Sequence, residues 1–254
     1  MKKQTLLLGF LCLCFLLPTY ADNRRPHSSI NTIIKDNGEG ARVNIGFSFA
    51  PTFDWMYSFT QGYDRNGVVL GMRYGIPVNI NLTEGKNYYI STGLFCEQLG
   101  GKLKFFDNIP ISSAFTLTNT ETQRTYRAFY MTIPIGVTLK SKTINNFYIC
   151  GNIGLYNSFL LKGSNIDTYT INDELWSRQR VESTETAVIK EAAYVGLGLE
   201  YSITQDFRAG FYINYANTFT NYFKGRGQAQ NSITGVDEKA KLGYLELVMN
   251  INFF

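Results

Sequence analysis

From residue 42 onward the chain keeps returning to one pattern, in which apolar residues alternate with polar or small ones. In residues 42–52, Val43, Ile45, Phe47 and Phe49 share one phase and Asn44, Gly46 and Ser48 the other. In residues 69–80, Leu70, Met72, Tyr74, Ile76, Val78 and Ile80 alternate with Gly71, Arg73, Gly75 and Asn79. The strictest case is the last, where Leu245, Leu247, Met249, Ile251 and Phe253 alternate with Glu246, Asn250 and Asn252. Successive side chains of a β-strand point to opposite faces, so a period of two predicts strands with one apolar face and excludes amphipathic helices. Residues 88–98, 129–139, 147–160, 188–203, 207–222 and 242–253 complete a set of eight strands.

The connections alternate in length. They are long at 53–68, 103–127, 161–187 and 223–241, and short at 81–87, 140–146 and 204–206. Short turns at one end, long loops at the other and an even strand count predict an all-β fold: an eight-stranded antiparallel transmembrane β-barrel, an up-and-down meander with periplasmic turns and extracellular loops. Beyond residue 21 no run of about 20 apolar residues remains, so only a closed sheet would satisfy the backbone of a membrane-spanning chain. The rival is a soluble lipocalin-like barrel, which would turn the apolar phase inward and has no need to sort its loops by length. Tyr88, Phe147, Phe207 and Phe253 are expected at the periplasmic rim, and Trp55, Tyr57, Tyr126, Phe159, Phe219 and Tyr222 near or above the outer one.

The N-terminus agrees with this location. Lys2 and Lys3 precede an apolar run over residues 6–17, then Pro18, Thr19, Tyr20 and Ala21, which reads as a secretory signal peptide over residues 1–21. Residues 22–41 form a polar periplasmic lead-in and residues 42–254 the barrel domain. Cys12 and Cys14 leave with the signal. The final strand, Leu245 to Phe253 and Phe254, resembles the recognition signal of outer-membrane barrels, with one departure: the apolar phase falls on Phe253 and not on the last residue. The expected location is the bacterial outer membrane. The expected partners are outer-membrane lipid, lipopolysaccharide and the barrel-assembly machinery, for a monomer.

The segment 129–139 (FYMTIPIGVTL) resembles the strand with a central Ile-Pro of the PorT-like outer-membrane β-barrel family of Bacteroidetes-type bacteria. Residues 89–102 (YISTGLFCEQLGGK) are similar to its preceding strand, and residues 194–202 (YVGLGLEYS) to its Gly-Leu-Glu-Tyr strand. The resemblance implies the same fold and location and carries no catalytic residues. Members nearest PorT are implicated in protein export, so envelope or export-machinery proteins join the expected partners.

An eight-stranded barrel is just wide enough for its own side chains to fill. By parity Arg73, Glu97, Tyr130, Thr132, Tyr148, Asn152, Tyr156, Glu200, Arg208, Tyr212, Asn214, Glu246 and Asn250 face the lumen. They read as a polar network in which Glu200 meets Arg208 across the shortest turn and Arg73 meets Glu97 diagonally, since an unpaired charge in a dry interior is costly. The same residues would otherwise line a gate or narrow channel.

Enzymatic barrels of this architecture use a histidine near the outer rim. The only one here is His27, in the lead-in, and no metal-ligand spacing occurs, so neither an enzyme nor a cofactor is expected. Cys96 should face lipid towards the outer end of its strand and Cys150 the lumen at the periplasmic end, leaving both as free thiols. Of the 24 basic residues, 22 remain beyond Lys2 and Lys3 against 20 acidic ones, too even a balance for a nucleic-acid footprint. Residues 173–180, around Trp176, read either as a short helix on a contact surface or, like the aromatic stretch 53–68, as a strand extension. The function that follows is a structural or interaction role in the envelope; the alternative is a narrow pore or small-solute transporter.

Overall fold

A computed structural model describes residues 43–82, 87–112, 115–171, 174–180, 185–204, 207–224 and 237–253. Residues 1–42, which hold the expected signal peptide and the expected lead-in with His27, and Phe254 lie outside these residues. The described residues contain ten strands and no helix: β1 (Val43–Ser58), β2 (Asp64–Arg65), β3 (Val69–Asn81), β4 (Tyr88–Ser112), β5 (Phe115–Lys140), β6 (Phe147–Ile171), β7 (Glu174–Arg180), β8 (Ile189–Ser202), β9 (Phe207–Thr218) and β10 (Ala240–Phe253).

Eight of these close a ring in the order β1, β3, β4, β5, β6, β8, β9, β10 and back to β1, every neighbour antiparallel. The closing seam runs from Ile45 opposite Phe253 to Ser58 opposite Ala240, so the terminal strand pairs along nearly its whole length. At one short turn, Asn145 and Asn146 take φ values of 49° and 69° between Ile144 and Phe147, whose backbones exchange hydrogen bonds of 2.8 and 2.9 Å. This two-residue turn with both central residues left-handed suits the twist of a hairpin, and asparagine tolerates the conformation better than most residues.

The apolar phase faces out. Val43, Ile45, Phe47 and Phe49 are exposed while Asn44, Ser48 and Thr52 between and beyond them are buried. The same holds around the ring, through Ile76 on β3, Leu94 on β4, Ile133 and Ile135 on β5, Ile153 and Leu155 on β6, Leu197 on β8, Ile213 on β9 and Ile251 on β10. A continuous outward band of apolar residues around a polar interior is stable only against hydrocarbon, and with the ring closed no strand edge is left open to it. The lipocalin-like alternative is thereby excluded. The architecture is that of a bacterial outer-membrane barrel.

One expectation is corrected and one pair of alternatives is decided. The connections 103–127 and 161–187 are not loops in the main: β4 continues to Ser112, β5 starts at Phe115 and β6 runs on to Ile171. Of the two readings of the stretch around Trp176 the strand extension holds and the helix does not: it is β7, paired with β6 from Asn165 opposite Arg180 to Ile171 opposite Glu174. The alternation simply persists beyond the membrane, and the backbone stays paired along it. The result is a sheet of four strands, β4 to β7, rising as a blade from one side of the barrel, with β2 against β4 near its base.

Candidate functional site: the barrel lumen

Inward phase places four bases, Arg73, Lys140, Lys190 and Arg208, and four acids, Asp54, Glu97, Glu200 and Glu246, inside the membrane-spanning part. They are sorted by height. Nearest the periplasm, Lys140 Nζ lies 2.6 Å from Glu200 Oε2, and the Tyr212 hydroxyl donates to the other oxygen of the same carboxylate. The Lys140 ammonium is 4.4 Å from the ring centroid of Tyr89, and the Arg208 guanidinium 4.6 Å from that of Tyr148. Gly198 makes this layer fit, because a Cβ there would come within 2.2 Å of the Tyr212 ring.

In the middle layer, Arg73 Nη2 lies 2.8 Å from Glu246 Oε2, which also accepts from Tyr156 at 2.9 Å and from Asn214 Nδ2 at 3.2 Å. The guanidinium stands 4.2 Å from the centroid of the Tyr156 ring, which stacks on Tyr194 at 4.2 Å. Higher still, Lys190 Nζ lies 2.5 Å from Glu97 Oε1, with Ser158 donating to that oxygen at 2.9 Å and Thr132 to Ser158 at 2.8 Å. Asp54 accepts from the Gly100 amide at 2.9 Å.

Arg73, Glu97, Glu200 and Glu246 are therefore buried in the lumen, and Arg208 faces it half-buried. Their partners differ from those expected. Arg73 and Glu97 are direct register neighbours, yet Arg73 pairs with Glu246 and Glu97 with Lys190; Glu200 is taken by Lys140 and Tyr212 and not by Arg208. Side chains in a narrow barrel project towards the axis, so long ones meet partners one or two strands further round the wall. Lys140 and Lys190 escape the parity reading because both sit at strand ends, and the sequence places residue 140 in a turn. Their phase with Thr138 and Ala192 was the available signal.

Above the three ionic layers the lumen is closed by apolar and aromatic side chains. Met56, Leu99, Tyr130, Leu242 and Tyr244 are at most 1 % exposed and pack with Tyr126, Tyr222 and Phe223. Tyr126 and Tyr222, expected on the outer aromatic belt, thus point into the seal, whereas Tyr57, Phe159 and Phe219 are exposed outside. Over the seal, beyond the membrane, the Glu238 carboxylate accepts from Tyr63 and Tyr126, each at 2.9 Å. Arg124, bound to Asp167 through Nη2 at 3.0 Å, lies 3.9 Å from Glu238. Burial pushes the Glu238 carboxyl above its usual range, with Arg124 and the two hydroxyls pulling it back.

Below the seal, a cavity of about 70 Å³ is bounded by Arg73, Asn79, Lys140, Asn152, Glu200 and Asn250 among others, room for a few waters and no larger solute. Among the described residues no three His, Cys, Asp or Glu side chains gather as metal ligands. Cys96, half-buried on the outer phase of β4, and Cys150, buried in the lumen, are free thiols.

No family model and no curated protein matches the chain. Among solved structures, it is similar to Neisserial surface protein A (NspA) at 10% identity and a TM-score of 0.40, covering 84% of this chain and 97% of that one. It is similar to OprG from Pseudomonas aeruginosa at 10% identity and a TM-score of 0.38, covering 83% and 94%. Ail of Yersinia pestis, in complex with a heparin analogue, gives 12% identity and a TM-score of 0.35, covering 84% and 99%. All three are barrel proteins, but at these scores the assignment here rests on the closed ring of strands itself.

Proposed function

We propose that this protein is a non-conducting outer-membrane barrel with an interaction role in the cell envelope, the barrel serving as a rigid base for the extracellular blade. The observation that carries this reading is the seal. Met56, Leu99, Leu242 and Tyr244, each at most 1 % exposed, pack across the lumen above three layers in each of which a base meets an acid. A transport path would need unpaired or mobile groups along the axis. Here six of the eight luminal charges are committed to one another in three pairs. Beyond the membrane band, the blade exposes Leu175 and Trp176 of β7, 76% and 49% exposed. Aromatic and aliphatic side chains held on a rigid sheet suit protein contact, because little conformational freedom is lost on binding. The resemblance to PorT-like barrels points to envelope or export-machinery proteins as the partners.

A planar-bilayer recording tests the reading. The wild-type protein should show no steady openings, while Met56→Gly with Leu242→Gly should produce them by thinning the seal. Steady wild-type openings would overturn the reading in favour of a narrow pore. Cross-linking in native membranes, with and without Leu175→Ser and Trp176→Ser, then tests whether the blade is the contact surface.

A further inference from the structure

The outer wall of the blade carries a group of cations that the lumen does not explain. Lys102 on β4, Arg127 on β5 and Lys162 on β6 alternate with buried Leu103, Tyr126, Ala128 and Gly163, so all three point away from the barrel interior. Arg127 stands opposite Gly100 and Ser164, Lys102 opposite Thr125, and Lys162 opposite Phe129. The three therefore lie on successive diagonals across adjacent strands, about 7–8 Å per step. Among the described residues none of them reaches a carboxylate. The nearest outward acids in register are Glu121, held by Lys104 at 2.9 Å, and Asp64, opposite the same Lys104.

Their height is as informative as their spacing. Phe129 on β5 and Leu161 on β6 are the last outward apolar residues of the band, and Arg127 and Lys162 are the next outward positions, with Lys102 two registers above Arg127. This is the level at which hydrocarbon gives way to head groups, on the side of the barrel opposite the short turns. Long basic side chains there have their stems against acyl chains and their charges among the head groups. Three of them without carboxylate partners, fixed on paired strands, form a place for clustered phosphate rather than for a zwitterionic head group, with arginine able to bind two phosphate oxygens at once.

We propose that Lys102, Arg127 and Lys162 form a binding site for the phosphate groups of a phosphorylated glycolipid of the outer leaflet, of the lipid A type. The site rests on the membrane placement of the barrel and is independent of whether the lumen conducts. It makes the base of the blade a lipid contact and leaves the upper blade to other partners.

The test uses the full-length protein purified in detergent, with retained lipid counted by native mass spectrometry. The probes are bisphosphorylated lipid A, the same lipid with its phosphates removed, and inorganic phosphate alone. Wild type should bind bisphosphorylated lipid A and not the dephosphorylated form. Lys102→Gln with Arg127→Gln and Lys162→Gln should weaken binding by about fivefold per charge, on the order of a hundredfold in all. Lys102→Arg with Lys162→Arg should restore binding. Lys142→Gln with Lys239→Gln, which removes charge elsewhere, should leave it unchanged, and heat-modifiable mobility on gels confirms that each variant is folded. Equal binding of the dephosphorylated lipid, or undiminished binding by the triple variant, would overturn the site. Binding of inorganic phosphate without lipid, dependent on the same three residues, would overturn the lipid assignment in favour of a soluble anion. A conducting barrel that still retained lipid A through these residues would refute the closed-lumen reading alone.

Discussion

Replacing Glu97 by Gln, Lys190 by Met, and both together should give three stabilities that do not add. Glu97 is fully buried and Lys190 is 3 % exposed, 2.5 Å apart in the driest part of the ionic lumen just under the seal. Losing one member of such a pair strands the other, at a cost of about 3–5 kcal/mol. The two single changes should differ. After Lys190→Met, Glu97 keeps the Ser158 hydroxyl and the charge of its register neighbour Arg73, which is itself committed to Glu246, so most of the cost applies. After Glu97→Gln, the Lys190 ammonium still lies 5.0 and 5.1 Å from the ring centroids of Tyr130 and Tyr244, contacts that offset about 1–2 kcal/mol of it. The double variant leaves no charge behind and should lose about 1–2 kcal/mol, the cost of a changed fit. The coupling is then several kcal/mol. It is measured by urea unfolding of the barrel in lipid vesicles, followed through the fluorescence of Trp55 and Trp176 and checked by heat-modifiable mobility. Losses that add to within about 0.5 kcal/mol would mean that the two side chains do not meet and would refute the register of β4 against β8 through the lumen.

Ile251→Asp with Phe253→Asp should prevent membrane assembly, because both residues face lipid at the closing seam, where Phe253 touches Phe47 and Phe207, and two carboxylates would stand on the lipid face of the terminal strand, where charge is unfavourable in a depth-dependent way; heat-modifiable protein in the outer-membrane fraction would contradict this. Gly198→Ala should lower stability by about 1–3 kcal/mol, because its Cβ would meet the Tyr212 ring at 2.2 Å and the Phe211 carbonyl oxygen at 2.6 Å; Tyr212→Leu should relieve only the first contact, and unchanged stability of Gly198→Ala in the same unfolding assay would contradict the packing of this layer. Since burial raises the Glu238 carboxyl in the folded protein, its protonated form is favoured by folding. That contribution is complete below the usual carboxylate value of 4.5 and disappears as pH rises through the raised folded value. Thermal midpoints of wild type should therefore fall with rising pH across this window relative to Glu238→Gln, and parallel curves for the two proteins would show that Glu238 is not buried as described.

The membrane barrel was legible in the chain because its cause is local and repeated. The period-two alternation of residues such as Val43 to Phe49 and Leu245 to Phe253 assigns each side chain to a face whatever its neighbours are, and only a closed sheet reconciles an apolar outer face with a polar inner one. Parity therefore also brought Arg73, Glu97, Glu200 and Glu246 inside without any knowledge of register. It could not choose partners for them. The pairing of Arg73 with Glu246, Glu97 with Lys190 and Glu200 with Lys140 depends on how far each side chain reaches across the ring and at what height its strand passes, quantities set by closure and tilt of the whole sheet. The blade was hidden for a related reason: polar strands such as those ending β4 and beginning β5 resemble loops in composition, and they become sheet only because the barrel hands them a partner already in register. The seal is legible only in part: parity turns Tyr130 inward, but Tyr126 and Tyr222 look like belt tyrosines until the ring is closed around them.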